Sequence, residues 1–493
     1  MPTHRPLRLE VTDLGPISRA CVDLRPLTVF VGPSNTGKSW LATVAYALHR
    51  HFAAGPRGWR LRFPMGSEAP DLPEGVDKDL ARIAERLITS ASRTAKPAEQ
   101  GCALTPAVYE AIRWYLEQHG GALGKEVERC FGVDAGSHLV RREGAGRARI
   151  LLRHELEGVS SPAVHELTYG DERWTLRSTI PDGWRLSSNP SRVFLTPVML
   201  GGPPSEGDRT FWTMDVIAAL ADSVLPSRHR AYYLPADRTG LMNAHSTVVT
   251  ALIQSATMAG IRRADPLPLL SGVRGDFLEQ LVEMVSKRQR RSRHGREHLR
   301  RVGKGIEDGI LGGAVKVGGL PGLAYPHFTY HPGGWKAGLP LANASSMVSE
   351  LAPVVLYLRH VVFPNDLLII DEPESHLHPA MQVAFTHQIA EIARAGVRVI
   401  VTTHSEWVLE ALGNVVGRAE RTDRPNRESG PVLLDAGDVG VWLFETTNGV
   451  GSSTVKEIAL DPDTGLYPSG FDAVAMALHN EWAEAADARG DAK

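Results

Sequence analysis

The chain has 493 residues, a formal net charge of -2 and an apolar share of 43%, enough for two or more lobes with sizeable cores, and its near-neutral balance supplies no global field toward nucleic acid or a membrane surface. Cys21, Cys102 and Cys130 are widely spaced, which argues against a disulfide scaffold or a zinc framework. Met1 to Leu9 carries no apolar signal-peptide core and no apolar run is long enough to span a bilayer, so the expectation is a cytoplasmic protein without membrane contact.

In chain order, Leu7–Val11, Ala20–Leu24 and Leu27–Val31 read as strands, with turns at Gly15-Pro16 and Arg25-Pro26. Gly32-Pro33-Ser34-Asn35-Thr36-Gly37-Lys38-Ser39 follows the third strand and fits the phosphate-loop pattern. A helix starts near Lys38, with Leu41, Val44, Ala45 and Leu48 on one face. Such a loop turns successive backbone N–H groups toward one point, and the helix behind it adds its positive end. Lys38 would reach the outer phosphates and Ser39 would place its hydroxyl on Mg2+.

Pro56–Pro73 reads as a linker into an insert. Leu80, Ile83, Ala84, Leu87 and Ile88 mark one helix face, and Thr105, Pro106 and Gly120 punctuate a second helix as N-cap, first residue and stop. The pattern from about Ala148 to Leu200 predicts a small sheet, and helical periodicity returns over Asp208–Leu225 and Ser246–Ile261. Ala231–Leu234 reads as a core strand that ends in a turn carrying Arg238. A charged helix over Gly275–Arg301, hairpins over Gly312–Tyr330 and a helix over Ser345–Val361 come next. Leu367–Ile370 reads as a buried strand ending in Asp371-Glu372-Pro373. A helix (Pro379–Ala395), a strand (Val397–Thr402) ending at Thr403-His404, a polar loop (Arg418–Gly430) and a closing helix (Phe471–Ala486) complete the chain. No sustained heptads appear, so the insert is a compact arm and not a long coiled coil.

Asp371 at a strand end suits a magnesium-bound water, and Glu372 suits polarisation of an attacking water. His404 is placed to hydrogen-bond a terminal phosphate or that water. Phosphate loop, acid pair running into Leu377-His378-Pro379, and Thr403-His404-Ser405 together resemble the ABC-type ATPase clan, and within it the RecF-like and OLD-like (overcoming lysogenisation defect) AAA ATPases. That resemblance implies an α/β fold: an ABC-type head with an N-terminal β lobe and a parallel-sheet core, and a mainly helical α/β insert. The expected divisions are head residues 1–50, an arm at 51–225, a head strand and helix at 226–262, a basic helical insertion at 263–311, head residues 312–470 and a C-terminal helix and tail at 471–493.

The resemblance also implies ATP with Mg2+, hydrolysis, and a homodimer or higher homo-oligomer in which two heads complete each other's site. The element acting across the interface would be a serine at the start of the helix before the acid pair: Ser346, with Ser345 as the alternative. Met347 and Val348 replace the paired glycines of the transporter-type signature. Stand-alone ATPases of this kind resemble the sensors of anti-phage defence systems, which control a separately encoded effector. Arg238 would face the phosphates or the partner head, or else solvent. ATP is favoured over GTP because no Asn-Lys-x-Asp or Thr-Lys-x-Asp motif is present.

The nine cations of Lys287–Lys304, with Glu297 the only acid among them, suit either duplex DNA, as in a RecF-like repair ATPase, or a solvated helix. Asp461 and Asp463, with Glu445 upstream, have nuclease-like spacing, but the short remainder of the chain argues against an OLD-type nuclease domain. His376 and His378 read as local scaffold, and His327 and His331 as hairpin residues.

Overall fold

The computed structural model describes residues 6–58, 72–92, 102–141, 144, 146–186, 209–226, 229–244, 270–287, 295–319, 326–421, 434–446, 452–459 and 480. The described elements begin with β1 (Leu7–Leu14), β2 (Ile17–Asp23), β3 (Leu27–Val31) and α1 (Lys38–Gly58). The arm region supplies α2 (Val76–Ser92), β4 (Cys102–Ala103), α3 (Pro106–Glu117), α4 (Gly120–Phe131), β5 (Ala148–His154), β6 (Ala163–Gly170), β7 (Arg173–Thr179), β8 (Arg185–Leu186) and α5 (Arg209–Ser223). Then come β9 (Ala231–Leu234), α6 (Gly272–Lys287), α7 (Glu297–Ile306), β10 (Gly313–Gly319), β11 (Pro326–Pro332), β12 (Leu339–Pro340) and α8 (Ser346–His360). The chain continues through β13 (Leu367–Asp371), α9 (Pro379–Arg394), β14 (Arg398–Thr403), α10 (Glu406–Arg421), β15 (Val439–Thr446) and β16 (Ser453–Ile458).

Eleven of these strands form one sheet in the order β7-β6-β5-β1-β2-β16-β15-β3-β14-β13-β9. The run β15-β3-β14-β13-β9 is parallel throughout. The run β7-β6-β5-β1-β2 is antiparallel, and β16 joins the two, parallel to β2 and antiparallel to β15. The expected α/β fold class is the one observed.

Side-chain pattern explains the division. Every residue of β3, β9, β13 and β14 is buried, as parallel strands covered on both faces require. Along β13, Leu367 and Ile369 enter one core with α1 and the arm helices, while Leu368 and Ile370 enter a second core with α6 to α9. β6 and β7 instead alternate residue by residue, so they bury one face and leave the other in water.

Several sequence expectations are corrected. Of the strands from Ala148 onward, β5, β6 and β7 do not build a sheet of their own but extend the main sheet through the pairing of β5 with β1, while β8 pairs with β4 in a separate two-stranded sheet. No linker begins at Pro56, because α1 runs to Gly58. Thr105 caps α3 and Pro106 opens it, but α3 ends at Glu117 and Gly120 begins α4. A Cβ at Gly120 would lie 2.6 Å from the Leu176 backbone nitrogen, so close packing on β7 fixes this glycine rather than helix termination. The charged helix is two helices, α6 and α7, and the region expected to be a loop after Arg418 is helical to Arg421. The helices expected at Ser246–Ile261 and, apart from Asn480, at Phe471–Ala486 lie outside the described residues.

Candidate nucleotide-binding site

Three adjacent parallel strands end at one edge of the sheet. The register Val31↔Thr403 and Asp371↔Thr402 sets the loop after β3, the acids after β13 and His404 after β14 side by side. Open α/β sheets bind ligands in the crevice beyond such carboxyl ends.

The phosphate loop is held open from outside. Gly32 and Gly37 adopt φ of 139° and 97°, and Asn35 lies at 62°. A Cβ on Gly32 would sit 2.4 Å from the Phe444 carbonyl oxygen, and one on Gly37 would sit 2.6 Å from Ile17 Cγ1, so conformation and space both require glycine. The Ser453 hydroxyl on β16 donates to the Thr36 carbonyl at 2.6 Å, pinning the loop from behind. Pro33, Ser34 and Asn35 remain exposed at its tip.

Lys38 is buried, and its Nζ donates to the Gly32 carbonyl at 2.9 Å and the Pro33 carbonyl at 2.6 Å. Loss of hydration pulls the ammonium down to about 8, against the attraction of Glu372, Asp371 and Glu374. A poorly hydrated cation inside an anion-binding loop suits phosphate.

Ser39 Oγ donates to Asp371 Oδ1 at 2.9 Å. Asp371 is buried and also accepts from the Thr402 hydroxyl at Oδ1 and from Tyr233 at Oδ2, the latter at 3.0 Å. Burial raises its pKa, and these three hydrogen bonds pull the other way. A hydroxyl and a carboxylate in contact beside an anion-binding loop form an oxygen donor set that fits magnesium; Ser39 and Asp371 would hold it.

Glu372 leaves the strand at φ 48°, a conformation that costs a non-glycine residue about 1–3 kcal/mol and persists where its surroundings enforce it. Its N–H donates to both oxygens of Thr402, each at 3.1 Å. Its carbonyl accepts from Arg238 at 3.2 Å. Thus placed, Glu372 Oε1 lies 3.3 Å from His404 Nε2, and His404 Nδ1 lies 3.5 Å from Lys38 Nζ. The His404 hydrogen bond, with the charges of His404, Lys38 and Arg238, holds the Glu372 pKa below the ordinary glutamate value despite partial burial. Glu372 is therefore an ionised carboxylate at neutral pH, as a base must be.

Arg238 does not face an open phosphate site or solvent. It is fully buried, paired with Glu350 of α8, and donates to the Pro235 carbonyl at 3.0 Å and the Asp371 carbonyl at 2.6 Å. Burial lowers the Arg238 pKa and raises that of Glu350, while their mutual attraction opposes both shifts. The residue braces the acid turn against α8.

Ser345 is the N-cap of α8, its oxygen accepting the Val348 N–H at 3.4 Å, whereas Ser346 opens the helix and is exposed. His378 caps α9 through Nδ1, and His327 and His331 lie on β11. No group of three or more His, Cys, Asp or Glu side chains is arranged to hold a metal among the described residues.

The basic stretch is described only in part. Arg288, Arg290, Arg291 and Arg293 lie outside the described residues. Arg296 is buried, stacks 4.5 Å from the Phe363 ring centroid and donates to the Arg359 carbonyl, and Lys304 pairs with Asp308. Asp461 and Asp463 are also outside the described residues, and Glu445 pairs with Lys456 at 2.7 Å.

Sequence patterns did not mark Tyr233, Thr402 or Glu374. Glu374 Oε1 accepts the His404 N–H at 2.6 Å and the Thr403 hydroxyl at 2.9 Å, which fixes the His404 turn. Glu374 sits inside the acid-pair motif and Thr402 directly precedes Thr403-His404-Ser405, and that proximity was the available signal. Among the described residues no helix is long and apolar enough to cross a membrane.

Three solved structures show similarity across most of the chain. One is an SMC head bound to the C-winged helix domain of ScpA, at 11% identity and TM-score 0.38, covering 93% of this chain and 98% of that one. The SMC head domain from Thermotoga maritima is 12% identical, with TM-score 0.36 and coverage of 92% and 100%. A Pyrococcus furiosus Smc head with an extended coiled coil, bound to the C-terminal domain of ScpA, is 11% identical, with TM-score 0.38 and coverage of 97% and 99%. No curated protein matches the sequence. Residues 222–410, which carry Arg238, Ser346, Asp371, Glu372 and His404, match the family model described as "AAA domain, putative AbiEii toxin, Type IV TA system", so this part of the chain is similar to an AAA domain.

Proposed function

We propose that the chain binds ATP with magnesium at the parallel edge of the sheet and hydrolyses it. The observation that supports this reading is the convergence of Ser39 on Asp371 at 2.9 Å with Glu372, His404 and Lys38 aligned beside them. The loop from Gly32 to Gly37 would cradle the phosphates and Lys38 would lose its contacts to the loop carbonyls in favour of phosphate oxygens. Magnesium held by Ser39 and Asp371 would neutralise charge on the outer phosphates. Glu372 accepts a proton from water as the water oxygen bonds to the γ-phosphorus; the bond from that phosphorus to the β–γ bridging oxygen breaks, and ADP leaves. His404 would keep the Glu372 carboxylate oriented through Nε2, beside the terminal phosphate.

Two such heads would pair, with exposed Ser346 at the N-terminus of α8 meeting the terminal phosphate bound to the second copy. ATP would close the pair, hydrolysis would reopen it, and the change would control a separate effector, in keeping with an anti-phage role. The test is ATP turnover by the purified protein with and without duplex DNA, using Glu372→Gln as the blank. Turnover absent from that variant and indifferent to DNA supports the reading and directs the search to a protein partner. Stimulation by DNA that vanishes with salt would favour the RecF-like alternative, with Lys287–Lys304 as its contact. Equal turnover in both proteins would sink the assignment of Glu372.

A further inference from the structure

We infer that Tyr233 is a positioning residue for Asp371, and that the Tyr233–Tyr46 ring pair ties this carboxylate to an ion-pair cluster joining α1, α4 and α6. The inference rests on the ATP–magnesium reading above. Asp371 Oδ1 accepts from Ser39 and Thr402, whereas the hydrogen bond to Oδ2 comes from the Tyr233 hydroxyl at 3.0 Å. Tyr233 lies on β9, whose register pairs it with Ile369, two residues before Asp371 on the neighbouring strand. Its hydroxyl reaches along the sheet and fixes the carboxylate plane. Outer partners of this kind orient a cation ligand without touching the cation.

The contact continues away from the site. Tyr46 stands two turns beyond Ser39 on α1 and packs edge-on against the Tyr233 ring, with centroids 5.7 Å apart at 77°. The Tyr46 hydroxyl donates to Asp276 Oδ2 on α6 at 2.9 Å. Asp276 is buried and receives Arg129 of α4 at 2.7 Å and Arg50 of α1 at 3.2 Å. Both arginines also pair with Glu126 of α4, at 2.8 Å from Arg50 and 2.7 Å from Arg129. A displacement of α4 therefore acts on the cation carboxylate through two aromatic rings, and cation binding acts back on α4.

The test uses Mn2+ as the probe, titrated into the full chain with a non-hydrolysable ATP analogue and followed by the spin-resonance signal of free Mn2+. Tyr233→Phe is expected to weaken Mn2+ binding about tenfold or more while metal-free nucleotide binding in EDTA, which also reports folding, stays at the wild-type value. The Mg2+ concentration for half-maximal turnover rises by the same factor, and kcat at saturating Mg2+ is retained. Tyr46→Phe keeps both rings and loses the Asp276 bond; it is expected to shift Mn2+ affinity in the same direction by less, as is Asp276→Asn. Wild-type Mn2+ affinity in Tyr233→Phe overturns the positioning role. A shift in Tyr233→Phe with none in Tyr46→Phe or Asp276→Asn overturns the tie to the cluster. If Tyr233→Phe does not fold, Tyr46→Phe carries the test. Failure of the wild-type protein to bind Mn2+ with nucleotide would instead overturn the ATP–magnesium reading itself.

Discussion

The two halves of the main sheet share hydrogen bonding but not design. In the parallel half, β3, β14 and β13 are buried on both faces and all end at the same edge. In the antiparallel half, β5, β6 and β7 run in alternating directions, and β6 and β7 alternate buried with more exposed residues. Parallel strands therefore collect a loop, an acid pair and a histidine at one place, while antiparallel strands distribute their ends between two edges. Both halves have carboxylates, but only the parallel half aims several at one point. Asp371 accepts from Ser39 at 2.9 Å and Glu372 lies 3.3 Å from His404, whose other ring nitrogen is 3.5 Å from Lys38, whereas Glu166 on β6 forms a half-exposed pair with Arg149.

The largest expected effect tests that contrast directly. Glu372→Gln should lower ATP turnover by about 10²–10⁴-fold, the usual contribution of a positioned base, with ATP binding retained. Glu166→Gln should leave turnover unchanged. Equal losses in the two variants would break the comparison. Next comes the brace behind the acids. Arg238→Met leaves Glu350 buried without its partner and should cost about 3–5 kcal/mol in urea unfolding. A cost near zero would mean that the brace is not what holds the acid turn.

Much of the parallel half was legible in sequence because each motif is contiguous: an apolar run, then the residues that act. Leu27–Val31 with its loop, and Leu367–Ile370 with Asp371 and Glu372, contain strand and site within a dozen residues. What stayed hidden acts across the fold. Tyr233 meets Asp371 from 138 residues away, and Arg238 meets Glu350 across 112. A short motif holds no record of such pairings, so the sequence left Arg238 facing the phosphates, the partner head or solvent, when it is a buried brace. The antiparallel half was legible as strands and not as partners. Alternation marks β6 and β7, but nothing local states that β5 will pair with β1, an attachment that merges the arm with the main sheet. β15 and β16 went unmarked, although Phe444 and Ser453 on them shape the phosphate loop.

Burial on two faces against one gives the next expectation. In β13, Ile369→Ala and Ile370→Ala should each cost about 2–5 kcal/mol, since both side chains are fully buried. In β7, Leu176→Ala should cost a similar amount, but its neighbour Arg177→Ala should stay within about 0.5 kcal/mol. Denaturant midpoints of the four variants check this, and a large cost at Arg177 would show a face that is not simply solvated.

A further expectation separates binding from stability by pH. Lys38 is lowered to about 8 in the folded chain from an ordinary 10.5. Between those values the unfolded chain binds more protons, so the contribution of this group to stability rises with pH. Phosphate prefers the protonated form, so ATP affinity should move the other way, falling about tenfold per pH unit above 8 until the proton held by the complex is itself lost. Calorimetric titrations at pH 7, 8 and 9 should show this decline while thermal stability does not follow it. Parallel declines would place the titration elsewhere.

The smallest expected effect divides two neighbouring serines. The Ser345 hydroxyl is committed to the Val348 N–H, so Ser345→Ala should cost about 1 kcal/mol of stability and change turnover little at temperatures where the protein remains folded. Ser346 is exposed on the first turn of the same helix and has no capping duty, so Ser346→Ala should leave stability alone. If heads pair around ATP, Ser346→Ala should weaken the ATP-dependent self-association of Glu372→Gln protein in sedimentation. If Ser345→Ala weakens association and Ser346→Ala does not, the cap serine has the cross-interface role. If neither does, the N-terminus of α8 takes no part in pairing, and the parallel edge works within a single head.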